Sequence, residues 1–244
     1  MKTKIKNLVK HIVILSMLML LFSCNKTVKD ADGNVYDVVK IGNQYWLKQN
    51  LRTTKYNDGY KIPYIVEQDS IGLCKKNTIG FYADYEKTGI HAKNIKYGKF
   101  YNWHAVNTGK LAPKGWHVAT KEDWDELKKF IGPNLAGNKL RTTYDWVEKE
   151  HIVGKGTDTY GFSGLPTGYK NWGSSYWSDS LENLTVFWTS TRDKNQTCNQ
   201  DHEVYPFTVT LGLANSGNLS VEKCNCENFE YSVRCVKDKL CIKK

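Results

Sequence analysis

Residues 116–131 have the sequence WHVATKEDWDELKKFI and carry the clearest helix signal of the 244-residue chain. Thr120 has the side chain of a good N-cap, and Asp123 stands at the position of a capping-box acid. Apolar side chains then recur at helical spacing, at Trp124, Leu127, Phe130 and Ile131. Because a Gly-Pro pair follows directly, the sequence predicts a single clear helix over about residues 120–131.

Short alternating segments on both sides of this helix predict antiparallel strands. Val35 to Tyr56 alternates and turns at Ile41-Gly42-Asn43-Gln44, which is typical of a β-hairpin. Later strands are predicted over residues 187–190, 205–213 and 231–236. Residues 132–182 are rich in glycine and have little periodicity, which predicts a long irregular loop region.

The first residues have the pattern of an export signal. A lysine-rich start is followed by an apolar run from Ile12 to Phe22, which as a helix spans only about 16 Å, too short for a bilayer core of about 30 Å. The run leads into Leu21-Phe22-Ser23-Cys24, which resembles the lipobox of bacterial lipoproteins. The resemblance implies that residues 1–23 are removed and that Cys24 is acylated. A plain secretory peptide that ends near a cysteine is the alternative.

The composition is that of an ordinary folded domain. The formal net charge is +10, but residues 1–23 hold four of the lysines and no acid, so the mature chain keeps only a moderate positive charge. We find no motif for nucleic acid. The expected partner is a membrane, contacted through the lipid on Cys24, and the expected location is the bacterial cell envelope, at the outer membrane or cell surface.

Cysteine usage fits an exported protein. Apart from Cys24 the chain has six cysteines, an even number that indicates disulfides in an oxidising compartment. The spacing leaves the connectivity open, although a bond from Cys198 to the closely spaced pair near the C-terminus is the most plausible. The disulfide candidates are Cys74, Cys198, Cys224, Cys226, Cys235 and Cys241.

A succession of ordered motifs covers nearly all of residues 32–238. These are residues 32–36 (DGNVY), 41–47 (IGNQYWL), 50–52 (NLR), 97–103 (YGKFYNW), 113–120 (PKGWHVAT), 161–169 (GFSGLPTGY), 187–191 (FWTST) and 232–238 (SVRCVKD). Together they resemble the FISUMP domain, the Fibrobacter succinogenes major paralogous domain. That family consists of exported, often lipid-anchored bacterial surface proteins without an assigned activity.

The resemblance implies a fold and a domain organisation. The Gly-Trp-His-Val segment also resembles the helix start of the formylglycine-generating and C-type-lectin-like fold. We therefore expect an α+β, C-type-lectin-like domain with short antiparallel strands, the single clear helix and the long irregular loop region. The expected organisation is a signal peptide (1–23), a lipid-anchored tether (24–34), one FISUMP domain (35–238) and a basic tail (239–244). Ala83 and Ala112 stand where many relatives have cysteine, so no pairing is carried over for Cys235.

No catalytic or metal-ligating constellation emerges from the motifs. The histidines lack zinc spacing, and no EF-hand spacing or Gly-x-Ser-x-Gly elbow is present. The calcium-site motifs of sugar-binding lectins are also missing. We therefore predict no catalytic residue, no metal ligand and no cofactor, with calcium left as an open alternative that no motif supports.

Aromatic residues in the loop region supply the candidate ligand surface. Tryptophan and tyrosine rings stack on the C–H faces of sugars, and adjacent amides bind hydroxyls. The predicted ligand-binding residues are Tyr169, Asn171, Trp172, Tyr176 and Trp177. In the alternative interpretation the rings fill a small core of this loop, which is poor in leucine and isoleucine.

Three classes of function follow. We favour a lipid-anchored, non-catalytic surface module that binds a glycan or an extracellular protein. A formylglycine-generating-type oxidoreductase is the enzyme alternative and would need a C-terminal cysteine pair to hold copper. A structural subunit of the envelope or of fimbriae is the third class.

The lipobox generates the first testable prediction. Cys24→Ala removes the acylated thiol, so the protein should leave the membrane fraction or remain unprocessed at higher mass. Fractionation and gel migration of the variant beside the wild type measure this. A variant that fractionates and migrates like the wild type would contradict the lipoprotein interpretation.

Overall fold

The computed structural model describes residues 26–65, 79–84, 96–147, 154–171, 183–193, 205–212, 217–224 and 229–239. Within these residues the chain is mostly β, with twelve strands in four antiparallel sheets and three short helices. The strands come from both ends of the sequence, so the folded chain brings its N-terminal hairpin against its C-terminal strand.

The largest sheet has five strands. In spatial order these are β1 (Thr27–Lys29), β2 (Val35–Ile41), β3 (Gln44–Leu47), β12 (Cys235–Lys237) and β6 (Trp116–Val118). The predicted hairpin is confirmed as β2 and β3, which turn through Gly42. Gly42 has a φ of +60°, and a Cβ there would lie 2.9 Å from the ring of Phe130, so both conformation and space require glycine.

The central strands of this sheet are covered on both faces. Successive strand residues point to opposite sides, so Trp46 faces one apolar core while its neighbour Leu47 faces the other. The first core contains, among others, Trp46, Trp124, Phe162, Phe187 and Val236. The second contains, among others, Tyr36, Leu47, Tyr101, Trp188 and Cys235.

A three-stranded sheet stands between the same two cores. Its order is β10 (Leu219–Lys223), β9 (Pro206–Leu211) and β8 (Thr185–Arg192). On β8, Phe187 enters the first core and Trp188 the second. Two small pairs complete the described sheets: β4 (Tyr82–Ala83) with β5 (Phe100–Tyr101), and β7 (Lys170–Asn171) with β11 (Phe229–Glu230).

The predicted helix is confirmed as α2 (Lys121–Ile131), the longest of the described helices. The Thr120 hydroxyl accepts from the Asp123 N–H at 3.0 Å, and the Asp123 carboxylate accepts from the Thr120 N–H at 2.9 Å, which completes the capping box. Trp124 is fully buried, whereas Phe130 is 56% exposed and lies off the buried face. The other two helices are α1 (Trp103–Asn107) and α3 (Ala136–Leu140).

The expected α+β, C-type-lectin-like class is wrong. Only the short helices α1, α2 and α3 accompany the many strands of the described residues, and these strands form antiparallel sheets. Several strands are two or three residues long, which is too short for a period-two pattern to reveal. The expected irregular loop region is also more ordered than its sequence indicates, because Trp146 and Phe162 are buried in the first core.

Two predicted boundaries also differ from the structure. The predicted tether (24–34) is partly folded, because β1 pairs with β2 and the backbone N–H of Val38 donates to Lys26. Of the predicted strand over residues 231–236, only Cys235 and Val236 lie in a strand, β12, whereas Tyr231 and Ser232 form isolated bridges to Tyr101 and Phe187. Among the described residues, no helix combines the length and apolarity needed to cross a bilayer.

The side chain of Arg234 joins these parts at the centre of the molecule. It is fully buried, and its guanidinium donates to Asn50 Oδ1 at 2.6 Å and to the carbonyl of Leu47 at 2.8 Å. It also donates to the carbonyls of Phe162 and Ser163, at 2.8 and 3.0 Å. One side chain therefore holds the end of β3 and the glycine-rich segment against the C-terminal strand.

The charge of Arg234 is held by neutral oxygens and aromatic rings. Its guanidinium carbon lies 4.3 Å from the ring centre of Phe162 and 5.6 Å from that of Phe187. Burial lowers the pKa of Arg234 to about 9, and the charge of Asp158 acts against this shift. The Asp158 carboxylate accepts hydrogen bonds from the N–H and the hydroxyl of Ser163, and the carbonyl of Ser163 accepts from Arg234. Ser163 therefore connects this carboxylate to the guanidinium.

This arrangement predicts a large loss of stability for Arg234→Met. The substitution keeps much of the side-chain volume but leaves four buried acceptors without their donor, so we expect the free energy of unfolding to fall by about 3–5 kcal/mol. Urea denaturation of the mature chain measures the change. Arg192→Met, at an exposed position, is the matched control and should change stability by less than about 0.5 kcal/mol. Equal losses in the two variants would contradict the central role of Arg234.

Candidate functional site

A polar cleft of about 410 Å³ opens where three loops meet at the end of β1. Its lining residues are Lys29, Asp30, Ala31, Asn57, Asp58, Gly59, Pro113 and Lys114. Two lysines and two aspartates are therefore among the residues that line one opening. The volume lies within the range of small-molecule sites.

The first wall of the cleft is a tight turn built on Asp30. One oxygen of its carboxylate accepts the backbone N–H groups of Asp32 and Asn34, at 2.9 and 3.0 Å. The other accepts from the Asn34 amide at 2.8 Å and from the Tyr36 hydroxyl at 2.6 Å. Gly33 completes the turn with a φ of +83°. These bonds fix the position of Asp30 before any ligand arrives.

Asp32 ties this turn to the segment that leads into the second wall. Its carboxylate accepts from the hydroxyls of Thr53 and Thr54, at 3.2 and 2.9 Å, and from the N–H of Thr54. Lys55 adds an ion pair at 3.3 Å. Burial alone would raise the pKa of Asp32, but the hydrogen bonds from Thr54 and its neighbours outweigh it, so the pKa is lowered. Asp32 is therefore an ionised structural anchor.

The second wall is the loop around Asp58. The carboxylate of Asp58 pairs with Lys110 at 2.8 Å, which lowers the pKa of Asp58, and accepts from the Tyr60 N–H at 3.2 Å. Asn57 donates its amide to the carbonyl of Ala112 at 3.1 Å, and so joins this loop to the third wall at Pro113. Tyr60, directly after the wall, is 74% exposed.

The cleft offers recognition chemistry. Lys29 and Lys114 can donate to ligand oxygens, while Asp58 and Asn57 provide acceptors and an amide. The exposed ring of Tyr60 stands next to this polar set in the chain. In the ranges that the structure describes, no group of three or more His, Cys, Asp or Glu side chains has the arrangement of a metal site.

Residues 39–237 match the family described as Fibrobacter succinogenes major domain. The chain belongs to this family. No curated protein and no solved structure matches it. The expected relation to the C-type-lectin-like fold is therefore without support, whereas the FISUMP resemblance is confirmed. Family membership is consistent with a surface-associated protein.

Sequence reasoning missed the cleft in this chain of the Fibrobacter succinogenes major domain family, although one sequence motif lines the cleft and another begins next to it. The DGNVY motif begins at Asp32, two residues after Asp30, and the PKGWHVAT motif supplies Pro113 and Lys114. These motifs lie about eighty residues apart in the chain. The signal that could have found the site is the polar turn character shared by both motifs, but only folding brings the turns together.

The predicted aromatic surface is described only in part. Tyr169 is half-buried, with its ring centre 5.6 Å from that of Phe229 and 5.9 Å from that of Tyr231. Asn171 lies on β7, opposite Phe229. Tyr169 is thus packed on one side and accessible on the other. Trp172, Tyr176 and Trp177 lie outside the described residues.

Two of the seven cysteines are described. Cys224 is disulfide-bonded, and its sulfur lies 3.6 Å from the Tyr231 hydroxyl. Cys235 is a free thiol, so its place among the disulfide candidates is corrected. The strand position of Cys235 buries it completely in the second core, and this burial raises the pKa of the thiol. The others (Cys24, Cys74, Cys198, Cys226 and Cys241) lie outside the described residues.

The family's Gly-Trp-His-Val segment places His117 between two carboxylates. Its Nε2 lies 2.8 Å from Asp123, and its Nδ1 lies 2.8 Å from Asp238. The hydrogen bond with Asp123 is the largest cause that raises the pKa of His117, and burial acts against it. For Asp123, burial raises the pKa, but the bonds from His117 and Thr120 outweigh it and lower the pKa. His117 therefore links β6, the start of α2 and the end of β12.

This bridge predicts a pH-dependent contribution to stability. Because the pKa of His117 is raised on folding, its contribution is fully present below about pH 6.5 and is lost as pH rises through the folded-state pKa. Between about pH 6 and pH 9 the wild type should therefore lose more stability than His117→Gln. The side chain is 35% exposed, so we expect a difference of at most about 1 kcal/mol. Urea midpoints at both pH values measure it, and parallel pH profiles would contradict the bridge.

Proposed function

We propose that this protein is a lipid-anchored surface protein of the bacterial envelope that binds a hydroxyl-rich glycan in the polar cleft. The observation that carries this proposal is the cleft of about 410 Å³, which places Lys29, Lys114, Asp58 and Asn57 around one opening. Sugar hydroxyls both donate and accept hydrogen bonds, so they match a lining of both charge signs.

The exposed Tyr60 supports a sugar over a small ion as the ligand. A ring left 74% exposed at the residue that follows the cleft-lining Gly59 could cover the C–H face of a pyranose whose hydroxyls the cleft binds. The fixed turn at Asp30 and the paired Asp58 also support binding, because preorganised polar groups lose little conformational freedom when a ligand arrives.

The two described cysteines do not support the enzyme alternative. An oxidoreductase of the formylglycine-generating type would need accessible C-terminal thiols. Cys224 is disulfide-bonded and Cys235 is buried, so neither offers a thiolate to a metal.

The aromatic surface of Tyr169, Asn171, Trp172, Tyr176 and Trp177 stays a proposal for a second place of ligand contact.

A binding screen of the mature chain on glycan and extracellular-protein arrays tests the function. Tyr60→Ala and Lys114→Ala should weaken binding of the captured glycan at least about tenfold, because both remove direct ligand contacts. Phe130→Ala and Lys129→Ala replace exposed side chains of the same kinds away from the cleft and should leave affinity unchanged. Melting temperatures of all four variants should remain close to the wild type.

The same panel separates the alternatives. Trp172→Ala and Trp177→Ala should lower the affinity only if the ligand also touches the aromatic surface. Loss of binding in these two variants, with Tyr60→Ala and Lys114→Ala unaffected, would contradict the cleft and move the site to that surface. Capture of proteins alone would contradict the glycan, and no capture at all would favour a structural subunit.

A further inference from the structure

Three lysine ammonium groups surround the ring of Tyr45. The Nζ atoms of Lys26, Lys40 and Lys237 lie 5.2, 5.8 and 5.7 Å from the ring centre. The separation of any two of these nitrogens therefore cannot exceed the sum of their two distances to the ring centre. All three side chains are exposed, while Tyr45 is half-buried. We call this group the Tyr45 lysine cluster.

The five-stranded sheet brings the cluster together from distant parts of the sequence. Lys40 on β2 is directly opposite Tyr45 on β3. Lys237 is contributed by β12, the next strand, and Lys26 stands just before β1. Each lysine is thus placed by a backbone that the sheet holds rigid, and Tyr45 attracts all three through its ring face.

The cluster concentrates positive charge without an acidic partner among the described residues. The acids nearest in sequence have other partners: Asp37 on β2 accepts from Gln49 at 2.9 Å, and Asp238, directly after β12, is paired with His117. Three like charges held this close repel one another, and an anionic ligand would remove that repulsion. The cluster therefore has the chemistry of a site for phosphate groups.

The position of Lys26 identifies which phosphates can reach the cluster. Lys26 is two residues from Cys24, so the acylated residue cannot lie more than about 7 Å away along the chain. A lipid on Cys24 would place this end of the sheet at the level of the headgroups. Basic residues near an anionic membrane surface are attracted to it over about one Debye length.

We infer that the Tyr45 lysine cluster docks on the phosphate groups of anionic lipids in the membrane that holds the anchor. The inference rests on the proposed lipid anchor and adds an orientation to it. Lys26 precedes β1 and Lys29 ends it, so the cluster and the cleft are separated by three residues, about 10 Å along the strand. Docking of the cluster directs the cleft away from the membrane.

Lysine acylation on vesicles tests the docking. The lipidated full chain is added to preformed vesicles of phosphatidylcholine alone, or with about one third phosphatidylglycerol, and is treated with a water-soluble N-hydroxysuccinimide ester. Peptide mass spectrometry then gives the modification rate of each lysine. Lys26, Lys40 and Lys237 should react about fivefold more slowly on the anionic vesicles, and high salt should abolish the difference. The exposed control lysines Lys61, Lys129 and Lys155 should react equally on both.

Substitutions give a second measurement that does not depend on the anchor. If the chain does not float with phosphatidylcholine vesicles, it carries no lipid, and the proposed anchor is contradicted. The affinity of the lysine cluster for anionic lipid can still be measured. In that case flotation with the anionic vesicles reports on the lysines alone. Each lysine near such a surface is worth about a fivefold factor, so the triple variant Lys26→Gln, Lys40→Gln, Lys237→Gln should bind about a hundredfold more weakly than the wild type.

A matched triple variant controls for net charge. Lys61→Gln, Lys129→Gln, Lys155→Gln removes the same charge from exposed positions outside the cluster and should keep most of the binding. Equal effects of the two triple variants would overturn the inference, because they would show attraction to net charge alone. Equal acylation of the cluster lysines on both kinds of vesicle would overturn it as well.

Discussion

The buried guanidinium of Arg234 joins three distant segments of the chain at the centre of the protein. It connects the end of the N-terminal hairpin, the glycine-rich segment at Phe162 and Ser163, and the approach to the C-terminal strand. These segments are far apart in sequence. A buried charge destabilises a fold unless its lost hydration is compensated, and here four hydrogen bonds and two flanking rings surround the guanidinium as one unit. The unit also fixes how β12 enters the large sheet beside β3.

The entry of β12 in turn makes the sheet two-sided. With β12 between β3 and β6, Trp46 and Val236 can bury against α2 on one face while Leu47 and Cys235 bury on the other. Sheets covered on both faces lose the simple alternation of apolar and polar residues along their strands. The cleft and the Tyr45 lysine cluster lie towards the ends of the strands, where the two cores leave the side chains exposed.

The Tyr45 lysine cluster and the cleft together imply an orientation of the protein relative to the proposed membrane anchor. The cluster stands at the start of β1, near the proposed anchor, and the cleft stands at its end. A rigid sheet between them would hold a recognition site at a fixed distance from the membrane. Such an arrangement suits a surface module that meets ligands outside the cell, and it needs no moving part.

The family can be inferred from the ordered motifs of the amino-acid sequence, and so can two local elements, the β2–β3 hairpin and the helix α2 with its capping box. Each of these is encoded by neighbouring residues: Thr120 bonds Asp123 three positions away, and Gly42 takes the backbone conformation of its own turn. The mostly β architecture, the free state of Cys235, the cleft and the lysine cluster become visible only in the folded chain. Strands of two or three residues have no readable period, and Lys26, Lys40 and Lys237 meet only because non-local strand pairing places them around Tyr45. Local patterns record bonds between near neighbours, whereas contacts between distant segments depend on how the whole chain buries its apolar surface.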